Sequence, residues 1–363
     1  MDRKIRVGIT HGDLSGVGYE VILKTFADSA MCDLCIPIVY GSPKAATYHR
    51  KMLNLETNFT LVGTPREAQE GRLNMISCFD EEVKIDFGVP SPEGGRAALL
   101  SLQKAVEACR KGDIDVLVTA PVNKANIQSD AFRFPGHTEY LEHELGGGRE
   151  ALMILMSPLM KVALVTTHVA VKDIAGRITR DDIEKKIDIF NRSLKEDFTI
   201  SIPRIAVLSL NPHCGDGGLI GDEDDQIIKP AIEEMRGRGV QCYGPYAADG
   251  FFGAGMYTHF DGVLAMYHDQ GLTAFKALSG EDGVNYTANL PVVRTSPDHG
   301  TAYDIAGRGT ANESSFRRAV YEAIDIFHNR RRDKEAKANP LKVVPHDRDY
   351  RSNSNREETI NLE

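Results

Sequence analysis

Residues 95–121 read GRAALLSLQKAVEACRKGDIDVLVTAP, and this stretch decides the fold class. Apolar residues recur at helical spacing over 95–110, and Gly112 predicts the end of that helix. The run IDVLVTA at 114–120 is rich in β-branched residues, is typical of a buried strand, and is closed by Pro121. A helix that leads directly into a buried strand is the unit of a parallel sheet with crossover helices, so we predict an α/β protein.

The same alternation extends in both directions along the chain. Further strands are predicted at 5–10, 161–166, 205–210 and 262–267, and further helices at 181–195 and 223–238. The 363 residues correspond to about two domains at the usual domain size. Apolar residues make up 42% and charged residues 26%, which is typical of globular proteins and excludes a disordered or fibrous chain.

Charge and hydropathy exclude several classes of partner. The chain has 43 Lys and Arg against 52 Asp and Glu, a net charge of −9, which disfavours nucleic acid and anionic membrane surfaces. The sequence contains no run of 18 consecutive apolar residues, and the apolar stretch near Ile5 is too short for a signal peptide. We therefore expect a cytoplasmic protein with no membrane partner.

Cys32 and Cys35 form the single C-x-x-C pattern of the chain. This spacing occurs in redox sites and in half of a zinc site, but no second pair completes a zinc site. We interpret both residues as ordinary thiols.

Three predicted strands are each followed by a histidine, namely His168, His213 and His268. Ligands of open α/β sheets bind beyond the carboxyl ends of the strands, so these imidazoles are candidates for one metal site. Imidazoles suit Zn, Co or Mn better than Mg. Each histidine could instead be an ordinary hydrogen-bonded residue. His11 also follows a strand, and the pattern alone does not choose three of the four.

Other segments carry candidate chemistry. Lys276, Asn285 and Arg294 provide two cations and an amide suited to a phosphate or a carboxylate, although surface positions would explain them as well. Asp269 would orient an imidazole or cap a helix, and Asp249 precedes a glycine as turn residues do. The turn GDLSGVG at 12–18 suits an anion or is simply a tight connection, since it lacks the G-x-G-x-x-G spacing.

Taken together, the motifs resemble the 4-hydroxythreonine-4-phosphate dehydrogenase family, which makes a precursor of pyridoxal phosphate. The matching segments are GDLSGVGYE (12–20), PGHTEYL (135–141), TTHVAVKDI (166–174), LNPHCGDGG (210–218), MYHDQGL (266–272), GVNYT (283–287) and RTSPDHGTAYDIAG (294–307). They occur in order over most of the chain.

The resemblance implies a two-domain fold similar to that of isocitrate and isopropylmalate dehydrogenases, with a cleft between the domains. We expect one domain at 1–130 plus 300–330, a second at 131–299, and a polar tail at 331–363. The resemblance also implies a homodimer whose active site is shared between subunits and whose metal site takes histidines from both.

Site residues follow from the resemblance position by position. The implied metal ligands are His168, His213 and His268, which decides against His11. The implied substrate contacts are His137, Thr138, Lys276, Asn285 and Arg294. Asp249, Asp269 and Lys276 are the catalytic candidates. The cofactor candidates are Gly12, Asp13, His299, Gly300 and Asp304.

The implied reaction is a metal-dependent, NAD- or NADP-linked oxidation of 4-phosphooxy-L-threonine, with decarboxylation to 3-amino-2-oxopropyl phosphate. Zinc is the favoured divalent metal, with cobalt, manganese or magnesium as alternatives, and Asp269 or Lys276 would take the hydroxyl proton. The family's D-P-A-G-x-G-P-E opening lacks both prolines here, at Leu14 and Tyr19, so the choice between NAD and NADP stays open. Alternatives are a dehydrogenase of a sugar-acid phosphate such as threonate or erythronate 4-phosphate, an acyl-phosphate transferase, and a metal or phosphate sensor.

Overall fold

The computed structural model describes residues 3–80 and 83–340. Its centre is one twelve-stranded sheet. The strands are β1 (Arg6–Thr10), β2 (Ile36–Gly41), β3 (Phe59–Leu61), β4 (Leu73–Ser77), β5 (Val116–Thr119), β6 (Leu152–Met156), β7 (Lys161–Leu164), β8 (Arg204–Leu208), β9 (Gln241–Tyr246), β10 (Gly262–Ala265), β11 (Val284–Ala288) and β12 (Val293–Pro297). The helices are α1 (Gly18–Thr25), α2 (Ala30–Leu34), α3 (Pro43–Met52), α4 (Pro92–Lys111), α5 (His137–Leu145), α6 (Arg180–Glu196), α7 (Lys229–Gly237), α8 (Ala248–Gly253), α9 (His268–Ser279) and α10 (Ser314–Ala338).

The sheet consists of two parallel blocks that run in opposite directions. The strand order is β3-β4-β2-β1-β5-β12-β11-β6-β7-β10-β8-β9. The first six strands are mutually parallel, and so are the last four. Between the blocks, β11 is antiparallel to β12 and to β6, and β6 is antiparallel to β7. This antiparallel junction is the centre of the molecule.

The segment that decides the fold class forms as its sequence predicts. Helix α4 begins after Ser91, whose hydroxyl accepts the Gly94 N–H, and it ends at Gly112, which adopts a left-handed φ of 67°. Every residue of β5 is buried, as expected for a central parallel strand. The predicted α/β class is confirmed.

The remaining predicted elements are also present, with small shifts at their ends. The strands predicted at 5–10, 161–166, 205–210 and 262–267 are β1, β7, β8 and β10, and the helix at 181–195 is α6. The helix predicted at 223–238 begins as a π-helical turn at Asp224–Ile228 and continues as α7. Because β7, β10 and β8 are adjacent and parallel, the histidines that follow them lie beyond the same ends of the strands, the carboxyl ends.

Helix α10 extends to Ala338, beyond the predicted start of the polar tail at 331, and Lys337 forms an ion pair with Glu196 on α6. Residues 341–363 lie outside the described residues, and the division into two domains stays a prediction. Cys32 and Cys35 are buried free thiols. Within residues 3–80 and 83–340, no helix has the length and hydropathy needed to span a bilayer.

Candidate functional site

A cavity of about 270 Å³ lies against the central strands of the sheet. Its walls come from β5, β6, β11 and β12, from helices α5 and α9, and from the segments that follow β5, β7 and β12. The predicted site residues that line it are His137, Thr138, His168, His268, Lys276, Asn285, Arg294, His299 and Gly300. The tertiary structure therefore brings together residues from positions 137 to 300 in one cavity.

Arg294 is the most unusual group in this cavity, because it is a buried cation that is 3% exposed. Its guanidinium donates hydrogen bonds to the hydroxyls of Thr119 and Thr287. Among the described residues, no carboxylate lies within ion-pair distance of it. Burial lowers the pKa of Arg294 to about 10, which leaves it protonated at neutral pH. A buried positive charge without a counter-ion indicates a site for an anion.

His168 lies between a carboxylate and an ammonium group. Its Nδ1 is 3.2 Å from Glu139 Oε1, and its Nε2 is 2.8 Å from Lys124 Nζ. Burial alone would raise the pKa of Glu139, but its hydrogen bonds to His168 and to backbone N–H, with the nearby charge of Lys124, lower that pKa below its ordinary value. The carboxylate favours the His168 tautomer that carries its proton on Nδ1 and leaves Nε2 as an acceptor.

His268 has the same kind of partner, since its Nδ1 is 2.7 Å from Asp269 Oδ1. The His168 and His268 rings are 6.1 Å apart, centroid to centroid. His213 does not line the cavity and lies in a separate turn at Pro212–Gly218. Among residues 3–80 and 83–340, no group of three His, Cys, Asp or Glu side chains is arranged to hold a metal ion. Two of the three predicted ligands therefore meet within one chain.

The segment after β12 connects this cavity with a second one of about 360 Å³. Lys276, Asp298 and His299 line both cavities. Lys276 Nζ is 3.3 Å from Asp298 Oδ1 and donates to its backbone carbonyl. Burial raises the pKa of Asp298, with a smaller opposing effect from Lys276, and burial lowers the pKa of His299. The other walls of the second cavity are largely apolar, including Val17 and Ile305.

Several polar atoms around the first cavity are buried without a hydrogen-bond partner among the described residues. They are His137 Nε2, Glu139 Oε2, Asn285 Oδ1 and His299 Nε2. Burial, together with the positive charges of Arg294 and Lys124, holds the pKa of His137 well below its ordinary value. Since buried polar groups are normally hydrogen-bonded, these atoms indicate a polar ligand in the cavity.

The remaining predicted residues lie elsewhere. Asp249 and Asp304 are exposed and line neither cavity. Gly12 has a φ of +73°, and a Cβ there would lie 2.3 Å from the Pro121 carbonyl oxygen, so this turn requires glycine. Asp13 is buried, and its carboxylate accepts hydrogen bonds from Ser15 N–H and the Asn126 amide.

Thr119, Lys124, Glu139 and Asp298 line the cavity but were not selected from the sequence. Thr119 and Lys124 lie at and just after the end of β5, where ligands of parallel sheets bind, and this position was the available signal. Glu139 stands within the PGHTEYL motif, beside the chosen His137 and Thr138.

Comparisons with known proteins identify the family of this chain. Residues 33–323 match the family model described as pyridoxal phosphate biosynthetic protein PdxA. The 4-hydroxythreonine-4-phosphate dehydrogenase of Bacteroides thetaiotaomicron is 63% identical over 341 residues, which cover 94% of each chain. The D-threonate 4-phosphate dehydrogenase of Cupriavidus necator is 38% identical and covers 89% of this chain and 98% of its own.

Among solved structures, the 4-hydroxythreonine-4-phosphate dehydrogenase of Klebsiella pneumoniae superposes with a TM-score of 0.76 at 32% identity, covering 89% of this chain and 98% of that one. The Burkholderia phymatum enzyme of the same name gives a TM-score of 0.72 at 36% identity, covering 90% and 99%. The predicted fold and family are both confirmed by these likenesses. The chain belongs to the family of the pyridoxal phosphate biosynthetic protein PdxA.

Proposed function

We propose that this chain catalyses the NAD(P)-linked oxidation of 4-phosphooxy-L-threonine, followed by decarboxylation to 3-amino-2-oxopropyl phosphate. The observation that carries the proposal is the buried Arg294 in the wall of the cavity, which has no carboxylate partner in the described part of the chain, in a chain 63% identical to a relative named for this activity. Such a cation needs an anionic ligand, and this substrate has a phosphate and a carboxylate. A non-catalytic sensor or a transferase would not account for relatives named as dehydrogenases.

The substrate is held by polar groups of the cavity wall, two of which, at His137 Nε2 and Asn285 Oδ1, have no hydrogen-bond partner among the described residues. Arg294 binds its phosphate, and Lys276, His137, Thr138 and Asn285 supply the remaining polar contacts. These residues line a single cavity, so a small ligand reaches all of them. Fixing the substrate in one orientation directs the C3–H bond toward the hydride acceptor and lowers the entropic part of the barrier.

The two cavity imidazoles fit a metal, because each has a carboxylate at Nδ1, which is the usual arrangement of metal-binding histidines. A divalent metal bound there would act as a Lewis acid on the substrate hydroxyl. Zinc suits such imidazole ligands. Asp269 orients His268, and Glu139 orients His168.

We assign the third metal ligand to His213 of a second copy of the chain, in a homodimer with shared active sites. Two observations support this assignment. His213 lies outside the cavity of its own chain, and the turn that carries it continues into Leu219 and Ile220, which are 81% and 43% exposed. A contiguous exposed apolar patch is typical of interfaces, and these two adjacent side chains would contribute to one.

The nicotinamide cofactor supplies the hydride acceptor when it is bound. His299 and Gly300 would hold it, because they belong to the segment that joins the two cavities, and the buried His299 Nε2 has no partner among the described residues. Lys276 lines the cavity and Asp269 does not, which favours Lys276 as the group that takes the hydroxyl proton. We propose a cytoplasmic location, as expected from the sequence.

The test is a spectrophotometric assay of the full-length protein with 4-phosphooxy-L-threonine, a divalent metal, and NAD or NADP. We expect reduced cofactor and CO2 to form in equal amounts, and we expect chelation of the metal to abolish both. Failure to reduce either cofactor under these conditions would refute the proposed reaction.

A second candidate is oxidation of a hydroxy analogue, since one relative is named D-threonate 4-phosphate dehydrogenase. The two candidates differ at the ammonium group of the substrate. If the site is built for the ammonium, kcat/KM for 4-phosphooxy-L-threonine exceeds that for D-threonate 4-phosphate at least about a hundredfold. The opposite ratio would establish the second candidate.

A further inference from the structure

The contacts of Arg294 come from two threonines on the neighbouring strands. Thr119 Oγ1 accepts from Nε at 3.1 Å and from Nη2 at 2.6 Å, and Thr287 Oγ1 accepts from Nη1 at 3.0 Å. These bonds use three of the five guanidinium N–H groups. One N–H remains on each terminal nitrogen, and two such N–H groups are available to the oxygens of a phosphate or carboxylate.

The sheet register explains why these two residues meet Arg294. Thr287 lies directly opposite Arg294 in the antiparallel pair of β11 and β12. On the other side, Arg294 is paired with Leu117 of β5, and Thr119 is two residues further along that strand. Residues two apart on a strand share a face, so both hydroxyls and the guanidinium are on the same face of the sheet.

The chemistry of the two threonines differs from that of an ordinary arginine partner. A carboxylate at either position would orient the guanidinium but would also neutralise it. A hydroxyl orients it as an acceptor and adds no charge. Both threonines are fully buried, so solvent does not compete for these bonds.

We propose that Thr119 and Thr287 are positioning residues for substrate binding, which hold Arg294 in a fixed plane and leave its charge available to an anionic group of the substrate. The identity of that anion as a substrate phosphate rests on the proposed function. The positioning itself does not, and inorganic phosphate serves as the probe.

The test measures phosphate affinity by titration calorimetry for the full-length protein and for Thr119→Val and Thr287→Val. Losing hydrogen bonds to a charged group raises the phosphate Kd roughly 10-fold to 100-fold for Thr119→Val and about 10-fold for Thr287→Val. In the assay with substrate, KM rises more than kcat falls. Thr119→Ser keeps the hydroxyl, and its Kd stays within about threefold of the original value.

Thr295→Val is the matched control. Thr295 is also a buried threonine of β12, but its hydroxyl donates to the Ala319 carbonyl at 2.7 Å, away from Arg294. Its variant also loses a buried side-chain hydrogen bond but keeps the phosphate affinity. Melting temperatures of the variants show that each is folded.

The proposal is overturned if phosphate does not bind the unmodified protein, if Thr119→Val keeps its affinity, or if Thr295→Val or Thr119→Ser weakens binding as much as Thr119→Val. A protein that binds phosphate with these variant effects but reduces no cofactor would refute the proposed reaction and leave the positioning role intact.

Discussion

Arg294 is buried and Arg330 is partly buried, and the fold treats their charges in opposite ways. Arg330, on α10, forms an ion pair of 2.6 Å with Asp197 and donates to the Leu290 carbonyl and the Tyr286 hydroxyl. Arg294, in the cavity, has hydroxyl partners alone among the described residues. The first charge is neutralised by a carboxylate of the protein, whereas the second is not neutralised by any described residue, as the proposed binding of an anion requires.

The pKa shifts of the two groups agree with this contrast. Burial alone would lower the pKa of Arg330, but the adjacent Tyr286 and Asp197 raise it above its ordinary value. Burial without such a partner lowers the pKa of Arg294. The type of partner therefore distinguishes the two arginines better than burial does, because burial acts to lower the pKa of both.

The largest expected effect comes from replacing the cavity arginine, Arg294→Met. Loss of a two-oxygen, charge-assisted contact lowers kcat/KM roughly a thousandfold, or about 4 kcal/mol. In phosphate-free buffer, the free energy of unfolding changes by less than about 1 kcal/mol, because removing a buried charge without a counter-ion offsets the loss of its three hydrogen bonds to threonine hydroxyls. Steady-state kinetics and urea denaturation measure the two quantities. A large loss of stability in this variant would remove the contrast between the two arginines.

The reverse result is expected at the structural arginine. Asp197→Asn leaves Arg330 without its counter-ion and lowers the free energy of unfolding by about 3 kcal/mol, while phosphate affinity stays within about twofold. Asp188→Asn on α6, the helix that Asp197 directly follows, is the control, since its ion pair with Arg192 is exposed and contributes less than about 0.5 kcal/mol. Urea denaturation measures all three proteins. Equal stability of the two variants would contradict the assigned role of Asp197.

Histidines show a third way to bury a basic group, which is to lose the charge. Burial is the main cause that lowers the pKa values of His11 and His49 to about 4, and the Nε2 of His49 is 2.8 Å from the Leu14 carbonyl oxygen. The unfolded chain therefore binds protons at a higher pH than the folded protein does. As the pH falls from 6.5 toward 4, each histidine lowers the free energy of unfolding, by about 2 kcal/mol at pH 5.

His49→Gln tests this smallest effect, because the glutamine amide can still donate to Leu14. Between pH 7 and pH 5, we expect the free energy of unfolding to fall by about 2 kcal/mol less in the variant than in the original protein, as measured by urea denaturation at each pH. Identical pH profiles would show that His49 is not held neutral in the fold.

Much of the fold was predictable because its signals are local. Helix α4, its glycine end and the buried strand β5 follow from hydrophobic periodicity and turn residues within 27 positions of sequence. The histidines after β7 and β10 were predictable for a related reason, since strand ends mark where parallel sheets bind ligands. Neither signal reports which strands become neighbours.

The sequence by itself determined the α/β class, the strands and helices, and the motifs that resemble the PdxA family, because each depends on short-range patterns of residues. The tertiary structure alone decided that Thr119 and Thr287 flank Arg294, that Asp197 pairs with Arg330, and that His213 stays apart from His168 and His268 within one chain. The physical reason is that strand order and register bring together residues more than a hundred positions apart, as with Thr119 and Arg294, whose separation is 175 residues. The pairing of a buried charge depends on those neighbours and not on the residues beside it in the chain.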